Sequence, residues 1–486
     1  MGSSDTRPNI LFVIADDQSW PHAGAYGCTW VSTPGFDRVA AEGVLFEQAF
    51  CSAPQCSPAR AAALTGRPFW QLAEASLLAG LFPKELAVYP DLLEAHGYAV
   101  GHTGKGWGPG NWKAGGRTRN PAGPEFNEHR DHPPSEAQAG TDYTRNFLAF
   151  LETRGPGQPF CFWFGAREPH RPYEEGSGRR QGGDAGEVVV PGYLPDDPRV
   201  RSDLLDYAAE IAWYDRHLGA ILDELDERGE LDRTLVVCTA DNGMPFPRAK
   251  CNLYPDSCQV PMALRWGERS WGGHAVTDFV TFEDLLPTFL EAAGIEVPDH
   301  VVGRSLLPLV DAQRSGRIDP ARDHVLTGRE RHVHCRPDNR GYPSRAIRTD
   351  DHLYVINYAP DRWPVGGPDS YYADTDGGPT KFLMVGRRFE PGIDRLFDLA
   401  FAKRPAAELY DLRADQECLD NRIDDPSLSE VRARLHARLT TRLRELDDPR
   451  ELGSGDAFDA YPYFQGPWVW HDRIPGFKQI GAYNHL

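Results

Sequence analysis

One stretch, Asn9–Ala15 (NILFVIA), is apolar without alternation, and so are residues 159–165 (PFCFWFG) and 235–239 (LVVCT), with 98–101 a weaker fourth. Unbroken apolar runs predict strands buried on both faces of a parallel sheet. Between them, Leu204, Ala208, Ile211, Leu218, Leu222 and Leu225 fall on one face of a long helix that Gly229 ends. Residues 281–293 predict another helix. Strands alternating with helices specify an α/β class with right-handed crossovers. The pattern then changes. Residues 344–357 (SRAIRTDDHLYVIN) read as two short strands around a turn, and Val431, Leu435, Leu439, Leu443 and Leu446 stripe one face of a helix. The expectation is a large α/β domain over residues 1–340 and a smaller α+β domain over 341–486. Residues 458–486 are aromatic-rich without a period; they read as a strap across the larger domain, or as a sugar-stacking wall. Two Gly/Pro-rich stretches, 108–141 and 359–392, are long for simple connections, and part of substrate selection is expected there.

A chain of 486 residues exceeds what one core organises, which agrees with two domains. A hydrophobic fraction of 40% and an aromatic fraction of 11% fit a packed globular protein. The net charge of −19 argues against non-specific binding to nucleic acid or an anionic membrane. It leaves an anionic small substrate open, because salt screens distant charge within about 10 Å. No apolar stretch reaches the length of a membrane span, and the first nine residues lack the apolar core of a signal peptide. As written, the chain reads as soluble and cytoplasmic unless a leader has been removed. Nine scattered cysteines with no CxxC pair indicate neither a disulfide framework nor a zinc site. Cys251 and Cys258 are near enough in sequence to bridge a loop, but two free thiols is the safer reading.

Each main strand runs into polar residues. Asn9–Ala15 leads into Asp16-Asp17. Residues 235–239 lead through Ala240 into Asp241-Asn242-Gly243. Residues 159–165 lead through Ala166 into Arg167-Glu168-Pro169-His170. Ligands of open α/β sheets bind beyond the carboxyl ends of the strands, so these clusters are expected to converge. An all-oxygen donor set suits Ca²⁺ or Mg²⁺ and not zinc. Any single Asp reads equally as a cap or turn residue, but an adjacent pair against a buried strand needs a neutralising partner. In residues 54–67 (PQCSPARAAALTGR), Ser57 is the expected helix cap, Pro58 the first helical residue and Gly66 the stop. Cys56 then lies just before a helix N-terminus, where free amides favour an anion, and Arg60 one turn on can point back to it. A nucleophile so placed is arranged for sulfate or phosphate.

The run Cys56-Ser57-Pro58-Ala59-Arg60, continuing to Leu64-Thr65-Gly66-Arg67, resembles the C-x-P-x-R signature of type I sulfatases, whose cysteine is oxidised to formylglycine. Asp16-Asp17, Gly104-Lys105-Gly106, Glu168-Pro169-His170, Asp241-Asn242-Gly243 and residues 408–412 (ELYDL) keep the family order across essentially the whole chain. Residues 241–254 (DNGMPFPRAKCNLY) and Pro169-His170-Arg171 are most similar to the heparan N-sulfatase (sulfamidase) branch. The resemblance implies an alkaline-phosphatase-like fold: a mostly parallel sheet sandwiched by helices, with a smaller C-terminal α+β domain (antiparallel sheet plus helix). It implies a Ca²⁺ ion, with Mg²⁺ as the other candidate, bound by Asp16, Asp17, Asp241, Asn242 and the modified Cys56. It implies that Arg60 steadies the hydrated aldehyde, that Lys105 and Lys250 bind sulfate, and that His170 protonates the leaving group in a double displacement. The implied partners are a sulfated carbohydrate and a formylglycine-generating maturation enzyme; nucleic acid and membrane are not among them, and the oligomeric state stays open.

One position departs from the family. The histidine usual two residues after the lysine is Trp107, which can donate one hydrogen bond but cannot relay a proton. His102 is the candidate replacement. His102, Trp107, Arg331, His332 and His334 are candidates for sugar contact, the last three reading equally as a polar interdomain seam. Two rival functions remain: a phosphoester or phosphonate hydrolase on the same scaffold, which Cys56 disfavours, and a non-catalytic sulfoglycan-binding relative, prompted by Trp107.

Overall fold

A strand with no polar position must be covered on both sides, and the central sheet meets that demand. In the computed structural model, residues 7–270 and 272–466 are described. A seven-stranded sheet takes in β1 (Asn9–Ala15), β2 (Val44–Phe46), β3 (Ala99–Gly104), β4 (Phe160–Gly165), β5 (Thr234–Ala240), β6 (Met262–Arg265) and β7 (His274–Val276). Its spatial order is β3-β4-β1-β5-β6-β2-β7. The first four strands are parallel, and β6 runs against both neighbours.

Period two along β4 separates the helical layers. Trp163 meets Phe12 edge-on, and Phe12 meets Phe289 of the helix Leu285–Ala292. Its strand neighbours Phe162 and Phe164 point the other way, to Phe147, Phe150 and Tyr143 of the helix Tyr143–Glu152. The sheet is therefore sandwiched. The helix Pro198–Glu227 starts where Asp197 caps Arg199 N and Pro198 takes the first position. Residues 281–293 divide into a 3₁₀ turn, Phe282–Asp284, with a Thr281/Asp284 capping box, and the helix Leu285–Ala292.

A second sheet is four-stranded and antiparallel: β8 (His324–Arg329), β9 (Ser344–Thr349), β10 (His352–Asn357) and β11 (Ala407–Asp411). It draws on residues to either side of position 340. The helix Ser429–Glu445 packs on it through Leu435, Leu439 and Leu443, in a core shared with Phe69 and Trp70. The stretch 359–392 is not all connection, because Pro379 opens the helix Pro379–Gly386, and Leu383, Met384 and Val385 join the main core. Of the aromatic tail, Phe458 is buried against the second core and Phe464 N bonds Ala79 O at 2.8 Å, so 458–466 lie across the molecule as a strap. Residues 467–486 lie outside the described residues. All nine cysteines are free thiols, Cys251 and Cys258 included. Among the described residues no helix is long and apolar enough to cross a membrane.

Candidate active site

Register builds the site. Ala15 pairs with Ala240, so Asp16-Asp17 and Asp241-Asn242 leave adjacent strands side by side. Gly104 pairs with Gly165, which puts Lys105 on the same rim. Gly104 has φ +73°, and a Cβ there would lie 2.0 Å from Gly165 O; only glycine lets Lys105 cross the end of β4. The fifth contributor is the helix α1 (Cys56–Thr65), which starts at Cys56 itself after an extended Gln55 and ends on left-handed Gly66. Ser57 is inside the helix and does not cap it. Its hydroxyl donates instead to the carbonyls of Leu78, at 2.6 Å, and Pro109.

Cys56 Sγ stands 3.3 Å from Asp16 Oδ1 and 3.9 Å from Asp17 Oδ1. Arg60, fully buried, donates from Nε to Asp241 Oδ2 at 2.8 Å and from Nη1 to the carbonyls of Lys105 and Gly106 at 2.8 and 3.2 Å. Lys105 Nζ reaches Asp16 Oδ2 at 2.6 Å, and Lys250 Nζ reaches Asp17 Oδ2 at 2.7 Å. Asn242 Nδ2 donates to Asp17 Oδ1 at 2.7 Å, and Asp17 N to Asp241 Oδ1 at 3.0 Å. His170 Nδ1 lies 2.5 Å from Arg171 O, and its Nε2 lies 3.8 Å from Asp17 Oδ2. Asp16, Lys105 and His170 open onto a cavity of about 570 Å³, lined also by Pro109, Arg167 and Glu210.

The charges are tightly balanced. Burial would raise the Asp16 carboxyl, but Lys105, His170, Arg60 and Lys250 outweigh it and hold it well below the usual carboxylate range. Burial and the neighbouring Asp16 charge push Asp241 up, against Arg60 and Lys105. Burial and Asp16 also push the Cys56 thiol up, so the unmodified sulfur is held as a thiol. Three carboxylates, Asp16, Asp17 and Asp241, face three fixed cations, Arg60, Lys105 and Lys250, and a fourth carboxylate, Asp376, stands 3.4 Å from Lys250. A dication added to that balance leaves net positive charge for a bound sulfate. Asp16, Asp17, Cys56 and Asp241 bring one ligand atom each within 4.8 Å of one another. Asn242 Oδ1 is buried with no hydrogen-bond partner among the described residues. The residues present fit a hard divalent cation.

Four of the five expected sugar contacts are engaged elsewhere. His102 Nδ1 bonds Gly123 O at 3.0 Å and its Nε2 stands 3.7 Å from Glu125, so the ring is spent on the 123–125 loop and does not replace the family histidine. Trp107 is buried; its indole N–H donates to Ser57 O at 3.0 Å and its ring packs on Phe82, which braces α1. Arg331 holds the strap through Tyr461 O at 2.5 Å. His332 lies between Cys251 Sγ and Asp374 Oδ1, each 3.2 Å from Nδ1. These last two form the polar seam, because β8 ends at Arg329 in the second sheet and not on the rim of the first. His334 is half-buried with no hydrogen bond to another described residue. Sequence reasoning missed Glu210, which lines the cavity, and Asp376, 3.4 Å from Lys250. Helical position gave no cue for the first, and an acidic pair before Gly377-Gly378 was the only cue for the second.

The family profile described as Sulfatase matches residues 8–295. This chain belongs to the sulfatase family. The sulfatase is 28% identical over 505 residues to the N-sulphoglucosamine sulphohydrolase of Homo sapiens, across 92% of each chain. It is 24% identical to an N-acetylglucosamine-6-O-sulfatase of Bacteroides thetaiotaomicron, across 63% of this chain and 71% of that one. Two solved structures share its fold. One is of a protein in complex with its substrate D-glucosamine-2-N,6-O-disulfate (TM-score 0.62, 19% identity, 91% of this chain and 98% of that one). The other is the phosphonate monoester hydrolase of Silicibacter pomeroyi (TM-score 0.68, 17% identity, 91% and 96%). As a member of this family the sulfatase is a hydrolase of sulfuric esters or sulfamates.

Proposed function

We propose that this sulfatase releases sulfate from a sulfated sugar, with an N-sulfated glucosamine as the first substrate to test. The observation that carries the reading is the convergence of Asp16, Asp17 and Asp241 on Cys56 with Arg60, Lys105 and Lys250 around them. The choice of a sulfamate over a sulfate ester draws on the likeness to the human sulphohydrolase across 92% of both chains. The catalytic machinery is assigned to residues 1–340 and the smaller C-terminal unit to 341–486, with two exchanges across the boundary: β8 joins the second sheet, and Asp376 and the helix Pro379–Gly386 lie with the first unit.

In this reading a maturation enzyme converts Cys56 to formylglycine, and Asp16, Asp17, Asp241, Asn242 and residue 56 hold Ca²⁺, or Mg²⁺ in its place. The hydrated aldehyde supplies the attacking hydroxyl, and the ion supplies charge to bind the sulfate. The chain's own groups do the rest. Lys105 and Lys250 enter on different carboxylates, Asp16 and Asp17, and each keeps N–H donors to turn towards sulfate oxygens. Arg60 has no freedom to move and fixes the Asp241 carboxylate and the Lys105 backbone. His170 donates a hydrogen bond from Nδ1–H to Arg171 O, which leaves Nε2 to carry the proton for the departing oxygen or nitrogen. Trp107 has no catalytic part.

The test has two halves. Mass spectrometry of the peptide 54–67, from a host able to mature it, should find the Cys56 thiol replaced by aldehyde; a free thiol in fully active enzyme overturns the mechanism. Sulfate release from a panel of N- and O-sulfated sugars should favour the N-sulfated glucosamine. A phosphonate hydrolase is the second reading, favoured by the fold shared with the Silicibacter enzyme. Faster turnover of a phosphonate monoester than of every sulfated compound decides for it.

A further inference from the structure

One charged group at the site has no part in these steps. Asp376 lies in the run 374–378 (DTDGG), just before the helix Pro379–Gly386. Its Oδ2 stands 3.4 Å from Lys250 Nζ, so Lys250 is shared between Asp376 and Asp17. The same Oδ2 is buried and makes no hydrogen bond, while the side chain as a whole remains 26% open. Burial would raise this carboxyl, but Lys250, His170, His332 and Arg171 act on it together and hold it ionised.

Among the described residues, none of those cations hydrogen-bonds its Oδ2. Arg171 gives both terminal nitrogens to Asp203 at 2.8 Å and its Nε to Pro245 O at 2.9 Å. His332 is held by Asp374 and Cys251. Lys250 makes its short bond to Asp17. Asp376 is thus a carboxylate with unused acceptor capacity, within the field of His170 and beside the lysine assigned to the sulfate. A carboxylate only accepts hydrogen bonds, and a buried acceptor left unpaired is costly, so the group that fits it is a donor brought from outside. The donors nearest a sulfate on a sugar are ring hydroxyls and amine or amide N–H. A second sulfate or a carboxylate placed there would meet like charge with little solvent to screen it.

We propose that Asp376 is a specificity-determining residue: it accepts a hydrogen bond from a hydroxyl or N–H next to the sulfated position and repels a second anion there. This rests on the sulfated-sugar reading above. The wild-type site then prefers singly sulfated glucosamine, as N-sulfate or 3-O-sulfate, to the N,3-O-disulfate, whose two sulfates sit on adjacent ring carbons.

The experiment measures binding of these three sugars by calorimetry to Cys56→Ser protein, which needs no turnover, with and without Asp376→Asn. KM and kcat on matured enzyme run alongside. Losing a charged hydrogen bond should weaken the preferred single sulfate about tenfold on Asp376→Asn, and the disulfate should tighten by about as much. KM should carry the change, with kcat nearly constant. If Asp376 only positions Lys250, all three sugars shift by one factor and kcat falls; that result overturns the inference. So does equal affinity of the Asp376-bearing protein for all three sugars, a measurement that stands even where the Asn variant folds poorly. Failure to bind any of the three also overturns it. Sulfate release from 4-nitrophenyl sulfate, which has no sugar, reports separately on the sulfatase reading: activity there without discrimination among sugars sinks this inference alone.

Discussion

Arg60 shows how much a single buried side chain decides. It is sealed from solvent, bonds a carboxylate from one strand and two carbonyls from the Lys105 turn, and lies over the Trp163 ring. Glu210 is the opposite case, a carboxyl that burial has disarmed. Burial first, then the charges of Glu168, Asp206 and Glu174, push it from 4.5 up to about 9. In the unfolded chain it ionises near 4.5, so the folded form must hold a proton that the unfolded form has released. Its contribution to stability is complete below that pH and is lost as pH rises towards about 9. Glu210→Gln keeps the shape and removes the penalty. Thermal unfolding should show the variant gaining on the wild type steadily from pH 5 to pH 8; a difference independent of pH contradicts this. The residues that the sequence made legible were those at strand ends, where chemistry and position coincide. Asp16, Asp17, Asp241 and Lys105 are brought to Cys56 as their positions promised. His102, Trp107, Arg331 and His332 were not readable, because no one-dimensional pattern says whether a polar ring turns to the cavity or to a neighbouring loop.

At the scale of elements, the site depends on strands ending in register. β1, β4 and β5 stop within a residue of one another, and β3 matches them only because Gly104 turns with a positive φ. Gly104→Ala would place a methyl 2.0 Å from Gly165 O and strain a left-handed backbone. We expect a cost of about 1–3 kcal/mol in unfolding free energy and, with Lys105 displaced, a fall in kcat/KM of about a hundredfold. Activity intact at reduced stability would show that Lys105 does not need this turn. These strands were visible in advance because a run such as NILFVIA has no solvated face to offer. The start of α1 was misjudged by two residues, since Ser57 looks like a cap in sequence but its hydroxyl is taken by Leu78 and Pro109. The helix Pro379–Gly386 went unseen inside a Gly/Pro-rich stretch, although proline at a first helical turn is a start signal as much as a break.

Across the whole molecule, buried charge ties the second sheet to the segment after the C-terminal helix. Arg345 of β9, wholly buried, pairs with Glu330 at 2.9 Å and with Asp448 beyond the C-terminal helix. Breaking such a buried set by removing one member costs about 3–5 kcal/mol, so the C-terminal helix is held firmly on the second sheet. That anchoring was beyond sequence reading, because its partners are a hundred residues apart and none sits in a periodic element face. The divalent site adds a second tie, this one inside the large sheet. Its donors come from β1, β5 and α1, three elements that share no short connection. An ion that binds only their folded arrangement stabilises it by about 2.7 kcal/mol at a hundred times its Kd. The urea midpoint should therefore rise in CaCl2 and fall in chelator, and Asp241→Asn should abolish the difference. Adventitious surface ions would survive that substitution unchanged. A midpoint indifferent to calcium and magnesium in the unsubstituted protein would mean that three carboxylates are held together by lysine and arginine alone. The sulfate would then have to be gripped by the same cations that already neutralise the acids, and with Asp376 counted no positive charge would be left over for it.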